Sequence, residues 1–70
     1  MTDPYYVDHW FTWSNGELRK KRYDYEDYKE ALRRFDSCAA QTGTTRVVLR
    51  KRGQKPGTST ALTVYTPRVL

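Results

Sequence analysis

The stretch from Tyr5 to Trp13, closed by Asn15-Gly16, constrains this chain more than any other part of it. Tyr, Val, Trp and Phe dominate the stretch and alternate between two faces, which is the pattern of a half-buried strand. Asn-Gly is the preferred pair for a two-residue type I′ turn, because both central residues of that turn need positive φ. The sequence therefore predicts a hairpin with strands over 5–13 and 17–23. A two-residue turn also sets the register: Ser14 opposite Glu17, Trp13 opposite Leu18, Phe11 opposite Lys20, Trp10 opposite Lys21 and His9 opposite Arg22.

Helix signals follow, over about residues 25–41. Asp24 suits an N-cap, and Glu26 and Asp27 complement the positive end of the helix dipole. Tyr23 and Tyr28 stand at the two positions of a hydrophobic staple. Tyr28, Ala31, Leu32, Phe35 and Ala39 recur at helical spacing and form one apolar stripe. The opposite side is charged, with Glu30 and Arg34 spaced for an i,i+4 pair. Gly43 is placed to stop the helix.

A second strand pair is predicted over 44–52 and 59–66, separated by the turn residues Gly53-Gln54-Lys55-Pro56-Gly57. Pro67 ends the last strand and Arg68-Val69-Leu70 is a short tail. The order is ββαββ in one small α+β domain spanning 1–70, a four-stranded antiparallel sheet with one helix packed on one face. Placing the two most apolar strands centrally gives the strand order 2-1-3-4. The Lys and Arg of the second strand would then guard an edge against aggregation.

One face of the sheet must cover the helix stripe, and Val7, Phe11, Trp13, Leu18, Val47, Leu49, Leu62 and Val64 are the natural set. Strand periodicity and the hairpin register then assign the other face. It holds Tyr6, Trp10, Arg19, Lys21, Tyr23, Arg46, Val48, Arg50, Arg52, Thr63 and Tyr65. Lys20, Arg22 and Lys51 fall on the helix side. From the open face, Tyr6, Trp10, Arg19, Lys21, Arg46, Arg50, Arg52 and Tyr65 are the candidate binding residues. Cations attract a phosphate backbone, and exposed rings are platforms for unpaired bases. The alternative role of the same residues is structural: rings steady cross-strand neighbours, and Arg and Lys stems cover apolar surface.

Composition bears on the partner. Thirteen Lys and Arg against eight Asp and Glu give a net charge of +5, and the pI is near 9.6. Anionic partners are expected: nucleic acid, with single strands favoured, or an acidic surface on a larger protein. A mean hydropathy of −0.92 is low for a folded chain, but ten aromatic residues supply large buried areas. No apolar run approaches the ~20 residues of a membrane span. The segment Met1-Thr2-Asp3-Pro4 has no signal-peptide character, and the lone Cys38 cannot form an internal disulfide, so a cytoplasmic setting is expected. Length allows one core of modest stability.

No catalytic group is expected. His9, the only histidine, reads as an ordinary hydrogen-bonded core residue, and Asp8 beside it points to the opposite face. Cys38 reads as small buried packing. No CxxC, HExxH or paired His/Cys spacing supports a metal or a cofactor. A non-catalytic binding module, acting without a small-molecule substrate, is the expected function. In its size, its aromatic-rich first hairpin and its lack of catalytic motifs the chain loosely resembles small orphan proteins of bacteriophages and mobile elements. Those include host-takeover factors and anti-CRISPR proteins. The resemblance implies an accessory or inhibitor protein that docks on a host protein, and it transfers no site residue.

Overall fold

The first hairpin closes through three loop residues, Ser14, Asn15 and Gly16, where the sequence predicts two. In the computed structural model, which describes residues 3–55 and 57–67, Trp13 N–H donates to the Glu17 carbonyl at 2.8 Å and Gly16 N–H donates to the Trp13 carbonyl at 2.8 Å. Gly16 has φ of 85°, and no non-glycine residue among those described has positive φ. Asn15 therefore cannot occupy a type I′ turn. The loop is the three-residue kind, with glycine at the left-handed position.

That one extra residue slips the register by one. Strand β1 (Tyr5–Thr12) pairs with β2 (Leu18–Tyr25) so that Trp10 faces Lys20, His9 faces Lys21 and Asp8 faces Arg22. Side chains alternate with period two, so the slip turns every β2 residue to the face opposite the expected one. Arg19, Lys21 and Tyr23 lie on the helix side, and Lys20 and Arg22 on the open side.

The remaining elements are helix α1 (Tyr28–Ala40), β3 (Thr44–Arg52) and β4 (Ser59–Tyr65). The fold is α+β, and the antiparallel sheet has the predicted order β2-β1-β3-β4. The predicted tail 68–70 and Pro56 of the second turn lie outside the described residues. The helix begins three residues later than expected: Asp27, not Asp24, is the N-cap and accepts from Lys29 N–H at 3.2 Å. Asp24 instead continues β2, opposite Tyr6. Gln41 caps the far end, so Gly43 does not stop the helix. It sits at φ of 89° at the entry to β3, and its carbonyl accepts from Thr12 N–H at 2.9 Å. Arg34 donates to Tyr25 Oη at 2.8 Å and lies over the Tyr23 ring, rather than reaching Glu30.

The helix rests on β3, β1 and β2. Ala31, Phe35 and Cys38 meet Val7, Val47 and Leu49 in the core, ringed by Tyr5, Tyr23, Tyr25, Leu32, Ala39 and Tyr65. Truncating a fully buried member such as Leu49 to Ala would cost about 2–5 kcal/mol. Trp13 and Leu18, expected in this core, are 53% and 61% exposed at the hairpin end. Leu62 and Val64 are displaced from it by a bulge: β3–β4 pairing shifts between Leu49 and Arg50, leaving Leu62 unpaired and Val64 opposite Val48 on the open face. The same bulge puts Thr63 opposite Leu49 and Tyr65 opposite Val47, on the helix side.

Candidate functional site

The open face carries no helix, yet Tyr6, Asp8 and Val48 on it are 8%, 3% and 0% exposed. Long side chains cover them by laying their stems across the sheet. The arrangement follows from the register. Tyr6, Asp8 and Trp10 run along the central strand β1, flanked by Lys20, Arg22 and Asp24 of β2 and by Arg46, Arg50 and Arg52 of β3.

Each of the two open-face rings on β1 sits between two cations from opposite neighbours. Arg22 and Arg52 lie 4.5 and 4.6 Å from the Tyr6 centroid. Lys20 and Arg46 lie 4.9 and 5.4 Å from the Trp10 centroid. Such contacts contribute about 0.5–1 kcal/mol each where solvent reaches them. Carboxylates anchor one layer: Arg22 Nε–H donates to Asp8 Oδ1 at 2.8 Å, with Lys20 Nζ 3.9 Å from the same oxygen. Arg52 donates to Asp24 Oδ1 at 2.9 Å and to the Asp3 carbonyl at 2.8 Å. The Asp8 hydrogen bond raises the pKa of Arg22. Arg46 has no carboxylate partner among the described residues, and Arg50 reaches only Ser59 Oγ, at 3.4 Å.

A guanidinium lying over a ring uses one of its two π faces and keeps its in-plane N–H donors. The open face therefore presents oriented, partly unsatisfied donors above a floor of rings. Five cations, Lys20, Arg22, Arg46, Arg50 and Arg52, stand there against two carboxylates, Asp8 and Asp24. The segment 26–40, including the helix, is charge-balanced to slightly acidic, with four carboxylates against three cations. At one end of the face, Tyr6, Arg22 and Arg52 border a groove of about 680 Å³ with Lys55 and the second turn.

Of the sequence-predicted site residues, Tyr6, Trp10, Arg46, Arg50 and Arg52 share this face. Arg19, Lys21 and Tyr65 do not. Arg19 pairs with Glu17 at 3.1 Å and lies 5.5 Å from the Trp13 ring. Lys21 stands opposite His9 on the helix side, and Tyr65 packs against the core. Lys20 and Arg22, expected on the helix side, and Asp24, expected as the helix cap, stand on this face instead, together with Asp8. The three-residue loop, with Gly16 at its left-handed position, is what turns Lys20 and Arg22 to this face, and Asn15-Gly16 alone does not distinguish it from a two-residue turn.

His9 is buried on the helix side, with Nε2 2.9 Å from Thr44 Oγ1. The Thr44 hydroxyl donates to the Cys38 carbonyl at 2.7 Å. Its only proton is thereby committed, so His9 Nε2–H is the donor. Burial lowers the His9 pKa, and Lys21 lowers it further. Burial raises that of the Cys38 thiol. Among the described residues no cluster of His, Cys, Asp and Glu could hold a metal ion, and no helix is long and apolar enough to cross a membrane. The chain matches no protein-family model, no curated protein and no solved structure.

Proposed function

We propose that this domain is a non-catalytic module that binds nucleic acid, single strands in preference, across the open face of its sheet. The observation that carries the reading is the segregation of charge: five cations against two carboxylates on one helix-free face. Arg46, Arg50 and Lys20 make the first phosphate contacts, since ion pairing engages them least. Arg22 and Arg52 join through the N–H donors that Asp8 and Asp24 leave unused. Bases stack on Trp10 and on the guanidinium planes, a mode open to unpaired nucleotides. Tyr6 supports the arginines from below.

Anisotropy titration of a fluorescent single-stranded oligonucleotide at several salt concentrations tests this. With roughly three to five phosphates neutralised, log K should fall against log salt with a slope of about −2 to −3.5. No binding at low salt, or binding insensitive to salt, would remove the reading.

A second reading rests on the burial of Tyr6, 8% exposed beneath two arginines. A covered ring is a poor base platform, whereas guanidinium groups above it suit carboxylates as well as phosphates. The same face would then dock on an acidic protein surface, as a phage-type accessory or inhibitor protein would. A stoichiometric protein partner surviving nuclease treatment in a pull-down would favour it.

A further inference from the structure

The two edges of the sheet are unlike. Edge strand β2 carries Arg19, Lys20, Lys21 and Arg22 in succession, and such charge blocks pairing with another strand. Edge strand β4 reads Ser-Thr-Ala-Leu-Thr-Val-Tyr and contains no charged residue. Leu62 and Val64 on it are 42% and 49% exposed. Among the described residues its one protective device is the bulge at Leu62. The outward N–H and C=O groups of β4 meet no backbone partner among the described residues, and the helix lies chiefly over the other three strands.

We infer that β4 is a self-association edge that pairs antiparallel with the β4 of a second copy, about a two-fold axis normal to the sheet. Charge selects this occupant. A neutral strand meets its own copy without like-charge contact. The nearest cations of the open face are rooted one strand further in, on β3, and Arg50, which reaches β4, does so at Ser59, the end of the strand that antiparallel pairing sets furthest from its counterpart. Between copies, β3 residues are three strand spacings apart, roughly 14 Å, which exceeds the screening length of about 8 Å at physiological salt. Pairing through β2 would instead set its cations one strand spacing apart. Full-length antiparallel pairing of Ser59–Tyr65 centres on Leu62, so the two Leu62 side chains meet at the axis. The axis keeps both helices on one side and joins the two basic faces on the other. One strand pair buries less than the ~1,200–2,000 Å² of a stable interface, so the dimer is weak and reversible.

Sedimentation equilibrium of nuclease-treated protein, from micromolar to near-millimolar concentration, tests the inference on the protein alone and independently of nucleic-acid binding. The average mass should climb from 8.3 kDa toward twice that value. Leu62→Lys and Leu62→Glu should each remain monomeric, with circular dichroism confirming the fold, and an equimolar mixture of the two should associate again. A wild type that stays monomeric throughout overturns the inference. So does association that the single variants leave unchanged, or an equimolar mixture that fails to associate.

Discussion

Arg22 clamps Asp8 against the sheet: its Nε–H donates to Asp8 Oδ1 at 2.8 Å while the same guanidinium lies 4.5 Å from the Tyr6 centroid. Asp8 is 3% exposed on a face with no helix above it. The aspartate sets the spacing of the cations around β1 and also removes part of their charge from solution. Those two effects separate on mutation. Asp8→Asn should lower stability by about 1–2 kcal/mol in urea denaturation, because half-exposed Arg22 can return to water. The same variant should bind single-stranded oligonucleotides several-fold tighter at low salt, the gain shrinking as salt rises.

The hairpin register makes a sharper statement about neighbouring residues. Lys20 and Arg22 share the open face with Trp10 and Tyr6, whereas Arg19 and Lys21 lie on the other side. The double variant K20A/R22A should weaken oligonucleotide binding tenfold or more at low salt. R19A/K21A carries the same loss of net charge and should weaken it only a few-fold. Equal losses in anisotropy titrations would mean that net charge, not the face, determines binding.

His9 predicts a pH dependence of stability. Its folded pKa lies below the ordinary value near 6.5, through burial first and the charge of Lys21 second. The unfolded chain therefore binds the proton more readily, and stability rises with pH across that interval. The full contribution is present above about pH 6.5 and declines as pH falls toward the lowered folded pKa. Thermal melts between pH 7.5 and 5 should show a falling midpoint, and His9→Gln should flatten the slope over that range.

Gly43 tests the backbone. Its φ of 89° and the 3.0 Å separation of a notional Cβ from the Thr12 carbonyl oxygen leave little room for a side chain. Gly43→Ala should cost about 1–3 kcal/mol. Gly16, also at positive φ but in open space, should tolerate alanine better. Equilibrium denaturation of the two variants compares them directly.

The strands, the helix and the sheet order are legible in the residues, because aromatic and β-branched runs, turn residues and the stripe through Ala31 and Phe35 each carry an unambiguous period. The facing of β2 is not. Four consecutive cations from Arg19 to Arg22 contain no alternation, so the loop alone sets which of them face the helix. Asn15-Gly16 suits both a two-residue and a three-residue loop, and those two choices point β2 in opposite directions. β4 is equally silent, since seven neutral residues pair as well with a bulge as without one. Its bulge at Leu62 sends Tyr65 to the core and Val64 to the open face. The central residues Tyr6, Trp10, Arg46, Arg50 and Arg52 are legible because Val7 on β1 and Val47 and Leu49 on β3 match the helix stripe, which turns the residues between them to the other face.

The central claim is that the open face makes the contact. Amide and indole chemical-shift mapping by two-dimensional NMR, as a single-stranded oligonucleotide is added at low salt, tests it most directly. The account predicts perturbations concentrated at Tyr6, Trp10, Lys20, Arg22, Arg46, Arg50 and Arg52, with Lys29 and Arg33 on the helix unaffected. Perturbations centred on the helix, or none at saturating oligonucleotide, would contradict it.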